Sequence, residues 1–437
     1  MSSTFRIDCR WVEPTSGGTA NRHFLAEVGI EADGVPVTAL ADPHARTYRS
    51  GIRVSAYDLA SWFIANWWRL RWEAQGEGLS WNMSHRVGAA GNGYLWPDLE
   101  FIGGDASVQI RSNPISFGTT SPLRFLSEVD IHVPAGDFEN AIRDFVAKVA
   151  SRLESWASQD AGGLQELLSA WRDLGQEIDD PVVSFDRAIE ARMGFDPEEA
   201  EPAVLVGLRQ AAEEVGRNPV EELAASSKSR ALEDFETLWR DVRQSSRPMR
   251  LDLTPEMKAK AAYLKVRSQE PWRRGAALAE LVRREWSIDR DAVDNRDLAE
   301  LCEVSADWIH HGFEENVPIP AGFRSGSGDG RLEALLKKRH PTGRRFALAR
   351  IIGDHLVAGD GDRLLPVTDT GTERQQFQRA FAQALLCPFE ALRDHLGSKL
   401  PDDDFIEDAA QHFNVSSWLI RSALINQGVL SPAKLAS

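Results

Sequence analysis

SAYDLASWFIANWWRLRWEAQ, residues 55–75, carries Leu59, Phe63, Trp67 and Leu70 on one helical stripe, while Trp62, Ile64, Trp68 and Trp72 cover much of the rest. A helix apolar nearly all round belongs inside a sheet layer or at an interface, because a surface helix needs only one apolar face. Its flanks supply the strands. FRIDCRWVE (5–13), HFLAEVGIEADGVPVTAL (23–40) and ASVQIR (106–111) alternate apolar with polar residues between turn signals such as Ala32-Asp33-Gly34 and Gly103-Gly104-Asp105. FLSEVDIHV (125–133) adds a further strand. Residues 1–150 are therefore predicted to form a mixed α/β domain around a Trp-rich buried helix. Six of the 14 tryptophans fall between Trp62 and Trp96. Trp67, Trp68 and Trp72 among Arg69 and Arg71 can form a stacking surface for a base or a peptide aromatic. The commoner arrangement is a core helix with the two arginines at its wet edge.

Beyond Ala135 the period changes. Phe138, Ile142, Phe145, Val149 and Leu153 are spaced by three or four residues, and helix-like runs punctuated by Pro181, Pro197, Pro202, Pro219 and Pro248 follow. SSRPMRLDLTPEMK (245–258) reads as a boundary, and PIPAGFRSGSGDGR (318–331) as a loop inside a helix-rich last third. The expected architecture is α+β in three pieces: a mixed domain at 1–150, a helical linker domain at 151–250 and a mainly helical domain at 251–437.

With 437 residues the chain can bury a sizeable core, and its composition, 42% hydrophobic and 27% charged, is that of a soluble globular protein. A net charge of −16 opposes broad attraction to phosphate backbones or anionic lipid. No run approaches a membrane span, and MSSTFRIDCRW lacks the apolar core of a secretory signal, so the expected location is cytoplasmic, with no membrane partner. Cys9, Cys302 and Cys387 are odd in number and far apart, so they predict neither a disulfide framework nor a zinc knuckle.

The chemically informative part is 271–430. PWRRGAALAELVRREWSI (271–288) and NRDLAELCEV (295–304) lead into PTGRRFALARIIGDHLV (341–357), ERQQFQRAFAQALLCPFEALRDHL (373–396) and DAAQHFNVSSWLIRSALINQGVL (408–430). Through Arg345-Phe346, Leu348-Ala349 and Gly353, then Phe381, Ala382, Leu385-Leu386 and Pro388, and last Ala410, Phe413, Val415 and Ser416, this order resembles the ImmA/IrrE-type zinc metallopeptidase family. The resemblance covers about 160 of the 437 residues. It implies a zincin-like fold and a bacterial regulator linked to mobile elements, stress response or phage defence, whose active relatives cut a repressor.

The catalytic set departs from that pattern. A zinc hydrolase of this kind needs two imidazoles four residues apart on one helix face and a Glu beside the first. Arg350, Ile351 and Asp354 stand at those positions, and the further carboxylate ligand falls near Gln375 or Phe377, with Glu373 close by. A guanidinium cannot ligate zinc and an isoleucine cannot act as a base. Neither metal nor cofactor is expected. Arg350 and Asp354, at i and i+4, either pair across the vacated site or both face solvent. His355 is turned about 100° away from the ligand face, and His310, His311 and His340 have ordinary surface or core roles. AGDGDR (358–363) lacks the spacing of a calcium loop, and no glycine set forms a phosphate cradle.

The leading expectation is a non-catalytic pseudo-metallopeptidase that binds a protein partner at a degenerate cleft around Arg350, Asp354 and Glu373. A second is a DNA-associated regulator, possible through the helix-turn-helix-like segment 408–430, which offers Arg421, Asn426 and Gln427 but follows the acidic PDDDFIED (401–408). A third is a hydrolase with an N-terminal site drawn from Asp8, Glu27, Asp98, Glu100 and Asp105, whose spacing singles out no catalytic set.

Overall fold

The computed structural model describes residues 5–12, 24–116, 123–156, 164–251, 254–267, 270–288, 292–311, 319–324, 331–336, 338–397 and 401–431. The architecture is α+β, with small antiparallel sheets and a mostly helical C-terminal half. It divides into two compact units, residues 1–205 and 206–437.

In the first unit β1 (Phe5–Trp11) pairs antiparallel with β2 (Leu25–Ala32), from Phe5 opposite Ala32 to Trp11 opposite Ala26. β3 (Ile52–Ser55) takes the other edge of β2. Ala26, Val28, Ile30 and Ala32 are buried at every second position, as the alternation requires. The turn after β2 places Asp33 at φ 49° and Gly34 at φ 81°, two successive left-handed residues that suit a two-residue hairpin loop.

The Trp-rich stretch forms two helices, α1 (Ala56–Ala65) and α2 (Trp67–Trp72), instead of one. Asn66 separates them, its backbone N–H and its side-chain Nδ2 both donating to the Trp62 carbonyl, at 3.1 and 2.8 Å. Ser55 caps α1 by accepting from the Asp58 amide. Trp62, Trp67 and Trp68 are core residues, and Trp62 and Trp68 place their indole N–H groups on the Met83 carbonyl and the Glu177 carboxylate, each at 2.9 Å. Arg69 and Arg71 are not at a wet edge. Both are buried and matched by acids, Arg69 with Glu73 at 2.7 Å and Arg71 with Glu139 at 2.6 Å.

After α3 (Leu79–His85), β4 (Asp98–Gly103), β5 (Ser107–Asn113) and β6 (Val129–Pro134) make a second sheet in the order β6-β5-β4. α4 (Ala135–Trp156) buries the anticipated stripe Phe138, Ile142, Phe145, Val149 and Leu153.

The second unit contains α5 (Arg217–Ser227), then a four-stranded antiparallel sheet of β7 (Arg247–Arg250), β8 (Ala321–Phe323), β9 (Arg331–Leu335) and β10 (Leu364–Pro366) in the order β7-β9-β8-β10. Two readings are corrected here. Residues 245–258 are not simply a boundary, since Arg247–Arg250 form an edge strand, where Pro248, lacking an N–H, is tolerated. The segment 318–331 holds β8 within its expected loop, and its GSGDG portion lies outside the described residues.

α6 (Pro271–Glu285), α7 (Pro341–Val357) and α8 (Glu373–Leu386) pack together, with α7 lying against β8 and β10. Glycine sets their spacing. A Cβ on Gly275 of α6 would stand 2.5 Å from the Phe377 carbonyl oxygen, and one on Gly353 of α7 would stand 2.6 Å from the Phe381 ring. Both glycines bring α8 within reach of their helices, which places its N-terminal turn beside the polar positions of α7. α9 (Asp403–His412) and α10 (Ser417–Asn426) close the unit, capped by Asp402 and Ser416.

Candidate functional site

α7 begins with Pro341 at its first turn and buries two consecutive arginines. Arg344 donates to the carbonyls of Ile309 at 2.9 Å and Lys338 at 2.6 Å, and Arg345 donates to that of Asn414 at 3.0 Å. They fasten the start of the helix to surrounding loops. One turn further on, Arg350, Ile351 and Asp354 point into the protein.

Ile351 is fully buried, packed over the strand at Gly322, where an added Cβ would meet Ile351 Cγ2 at 2.7 Å. Asp354 is held by the guanidinium of Arg374 on α8: Arg374 Nε donates to both carboxylate oxygens at 3.0 Å and Nη2 to Oδ2 at 2.7 Å. Arg350 donates from Nη2 to the Thr368 carbonyl and to Gln375 Oε1, and its Nη1 lies 3.8 Å from Asp369. Gln375 Oε1 also accepts from the Thr368 amide at 3.1 Å, while Gln375 Nε2 and Gln378 Nε2 both donate to the Pro366 carbonyl at 3.1 Å.

The structure thus brings Arg350, Asp354 and position 375 to one place, but not in the anticipated pairing. Arg350 and Asp354 neither pair with each other nor face solvent: each takes a partner from the chain leading into or forming α8. Arg350, Asp354 and Glu373 are 4%, 1% and 6% exposed, so these three side chains are packed inside rather than lining an open cleft. Glu373 lies 3.7 Å from Arg274 of α6.

A further buried carboxylate escaped the sequence reading. Glu222, from α5, accepts from the hydroxyls of Thr368, Thr370 and Thr372 at 2.6, 2.7 and 2.7 Å. The signal is the alternation in Thr368-Asp369-Thr370-Gly371-Thr372, which turns three hydroxyls to one side and leaves the Asp369 side chain 97% exposed. Nothing near Glu222 in the sequence shows that a segment 146 residues later supplies its partners.

Burial dominates the electrostatics. It pushes the Glu222 carboxyl above the usual range, the threonine hydrogen bonds pulling it partly back. It also raises Asp354, against the opposing pull of Arg374. Burial disfavours the charge of Arg374 as well, but Asp354 overcomes this and holds the guanidinium protonated. Arg350 is pushed down to about 10, first by burial and then by the charge of Arg379.

Zinc does not fit this donor set. The two ligand positions on α7 carry a guanidinium and a carboxylate already in a bidentate ion pair, and position 375 offers an amide whose oxygen accepts from Arg350. His355 is buried on the same helix. Among the described residues no group of three or more His, Cys, Asp or Glu side chains is placed to hold a metal ion. In the segment 358–363, Asp362 accepts from Asn218, and Arg324 donates to the Gly359 and Asp362 carbonyls, which makes it a cross-linked turn.

The C-terminal helix pair forms as the sequence suggested, with Ala410, Phe413, Val415, Leu419, Ile420 and Leu424 buried. Arg421 is engaged by Asp403 at 2.9 Å. Of the N-terminal carboxylates, Asp98 and Glu100 come together around Arg86, Asp105 pairs with Arg192 at 2.6 Å, and Asp8 and Glu27 lie on the other sheet. No described helix is long and apolar enough to cross a membrane. Compared with family models, with curated proteins and with solved structures, the chain gives no match in any of the three.

Proposed function

We propose that the second unit is a pseudo-metallopeptidase module of the ImmA/IrrE type, part of a cytoplasmic regulatory or sensing protein that binds a protein partner without cutting it. Such a protein would serve a mobile-element, stress-response or phage-defence system. The observation that carries this reading is the way the two positions four residues apart on α7 and position 375 on α8 converge and are closed by Asp354–Arg374 and Arg350–Gln375. An ion pair and an arginine–amide hydrogen bond take the place that an ion and a general base would need, so the module keeps a peptidase's framework without a group to activate water.

Because Arg350, Asp354 and Glu373 are internal, they shape the partner surface from beneath. The part that reaches solvent is the middle of the segment 368–372, residues 369–371, where Asp369 stands exposed above Arg350. The test is metal analysis of the intact chain, as isolated and after zinc incubation, beside Asp354→Ala. Well under one zinc per chain in every sample is expected. One tightly held zinc per wild-type chain, lost in the variant, would overturn the reading.

A further inference from the structure

Asp98 and Glu100 project from one face of β4, and their cross-strand neighbours Asn113 and Arg111 project from the same face of β5. The alternate residues Leu99, Phe101 and Ile110 fill the core on the other side. Arg86, just after α3, reaches over this face, and the turn 75–78 with Trp81 and Asn82 walls it in, leaving a groove of about 390 Å³. An ordinary solvated sheet face also carries cross-strand ion pairs. Here, however, Glu100 is buried, and the walls come from several separate segments enclosing a space of ligand size.

The hydrogen-bonded groups on the floor of the groove are matched in charge, and Glu77, exposed at the rim, adds one further carboxylate. Arg86 donates to Asp98 at 3.2 Å and lies 3.2 Å from Glu100, Arg111 donates to Glu100 at 3.1 Å, and Asn113 donates to Asp98 at 3.0 Å. The guanidiniums of Arg86 and Arg111 cancel the carboxylates of Asp98 and Glu100 on the floor, and the single remaining charge, that of Glu77, stands in solvent at the rim where water screens it. Each carboxylate oxygen accepts one of these contacts and can accept another, each guanidinium has further N–H groups, and the amides of Gln75, Asn82 and Asn113 add donors beside acceptors. A ligand that answers such a wall donates and accepts at the same atoms and needs no charge of its own. Hydroxyl groups do so, and a compact molecule bearing many of them is a sugar.

We infer that this groove binds a neutral saccharide of about disaccharide size, held by the planar polar side chains of β4, β5 and the 75–86 segment. The inference is independent of the peptidase-like reading, since it concerns the first unit alone. The test is ligand-detected NMR on the intact chain with maltose, cellobiose and N,N′-diacetylchitobiose, comparing the wild type with Gln75→Ala and Asn113→Ala. Both altered residues are exposed, so thermal unfolding should stay unchanged and serves as the folding control. At least one of the three is expected to bind in the millimolar range or tighter, and each variant to weaken it by roughly tenfold, the loss of about 1.4 kcal/mol. Absence of binding by all three, equal binding by the variants, or binding of free glycine or glutamate in preference to the sugars would overturn it.

Discussion

Asp354 on α7 and Glu100 on β4 are both buried carboxylates held by arginine, yet their surroundings differ. The partner of Asp354, Arg374, is itself only 11% exposed, so both charges of the pair have largely left water. The partners of Glu100 remain wet, with the Arg86 side chain 48% and the Arg111 side chain 28% exposed. In the second unit, therefore, carboxylate and guanidinium are consumed by the fold and tie α7 to α8. In the first, the same groups border a groove and keep hydrogen-bonding capacity for a visitor. A cluster of opposite charges marks a binding site only where its members still meet solvent; enclosed on both sides, it acts as a strut.

The largest expected effect follows from that difference. Asp354→Ala would leave Arg374 charged and buried without its partner, and breaking such a pair costs about 3–5 kcal/mol. The double variant Asp354→Leu/Arg374→Met should recover most of the loss, because well-packed apolar side chains replace buried ion pairs at little cost. Urea denaturation of the wild type and of these two variants measures both effects. A loss below about 1 kcal/mol in the single variant would show that water reaches the pair and would erase the contrast with Glu100.

Much of the fold was legible, and the reasons are local. Alternation in 25–32, the Asp33-Gly34 turn and the stripe from Phe138 to Leu153 report on nearest neighbours, so they gave strands, a hairpin and a helix where these occur. The break at Asn66 was not read because it falls at one polar side chain, bonded back to the Trp62 carbonyl, inside an otherwise continuous apolar pattern. Asp98–Gly103 escaped as a strand since its second half is buried on both faces and lacks strict alternation. At the site, the family resemblance singled out positions 350 and 354, and their i, i+4 spacing makes them neighbours on one helix face. Their true partners, Arg374 and Gln375, follow from the Gly353–Phe381 approach, and the link from Glu222 to three threonines spans both sequence and sheet. Such pairings are tertiary facts that periodicity does not encode.

Glu222 sharpens the comparison through pH. Burial raises its carboxyl, so the folded chain keeps this proton over a range in which the unfolded chain has lost it. Stability therefore falls as pH rises from the ordinary glutamate value towards the raised one, by at most about 1.4 kcal/mol per pH unit. Asp354, raised in the same direction, contributes with the same sign. Glu222→Gln keeps an oxygen for the threonines and has no proton to lose. Its unfolding midpoint, followed from about pH 4 to about pH 8, should decline less than that of the wild type. Parallel curves would mean that Glu222 titrates as an ordinary surface carboxylate and that the threonine cluster is open to water.

The smallest effect on stability is expected in the groove. Asp98 is 28% exposed and its partner Arg86 is 48% exposed, so Asp98→Ala leaves Arg86 with Glu100 and with water and should cost no more than about 1 kcal/mol in urea. The same change removes an acceptor from the proposed sugar site and should lower disaccharide binding without a matching loss of fold. Small stability loss with large binding loss is the signature of a residue held in place by others and facing a ligand. A loss near that of Asp354→Ala, with binding unaffected, would instead place Asp98 among the struts and reduce the two clusters to one kind.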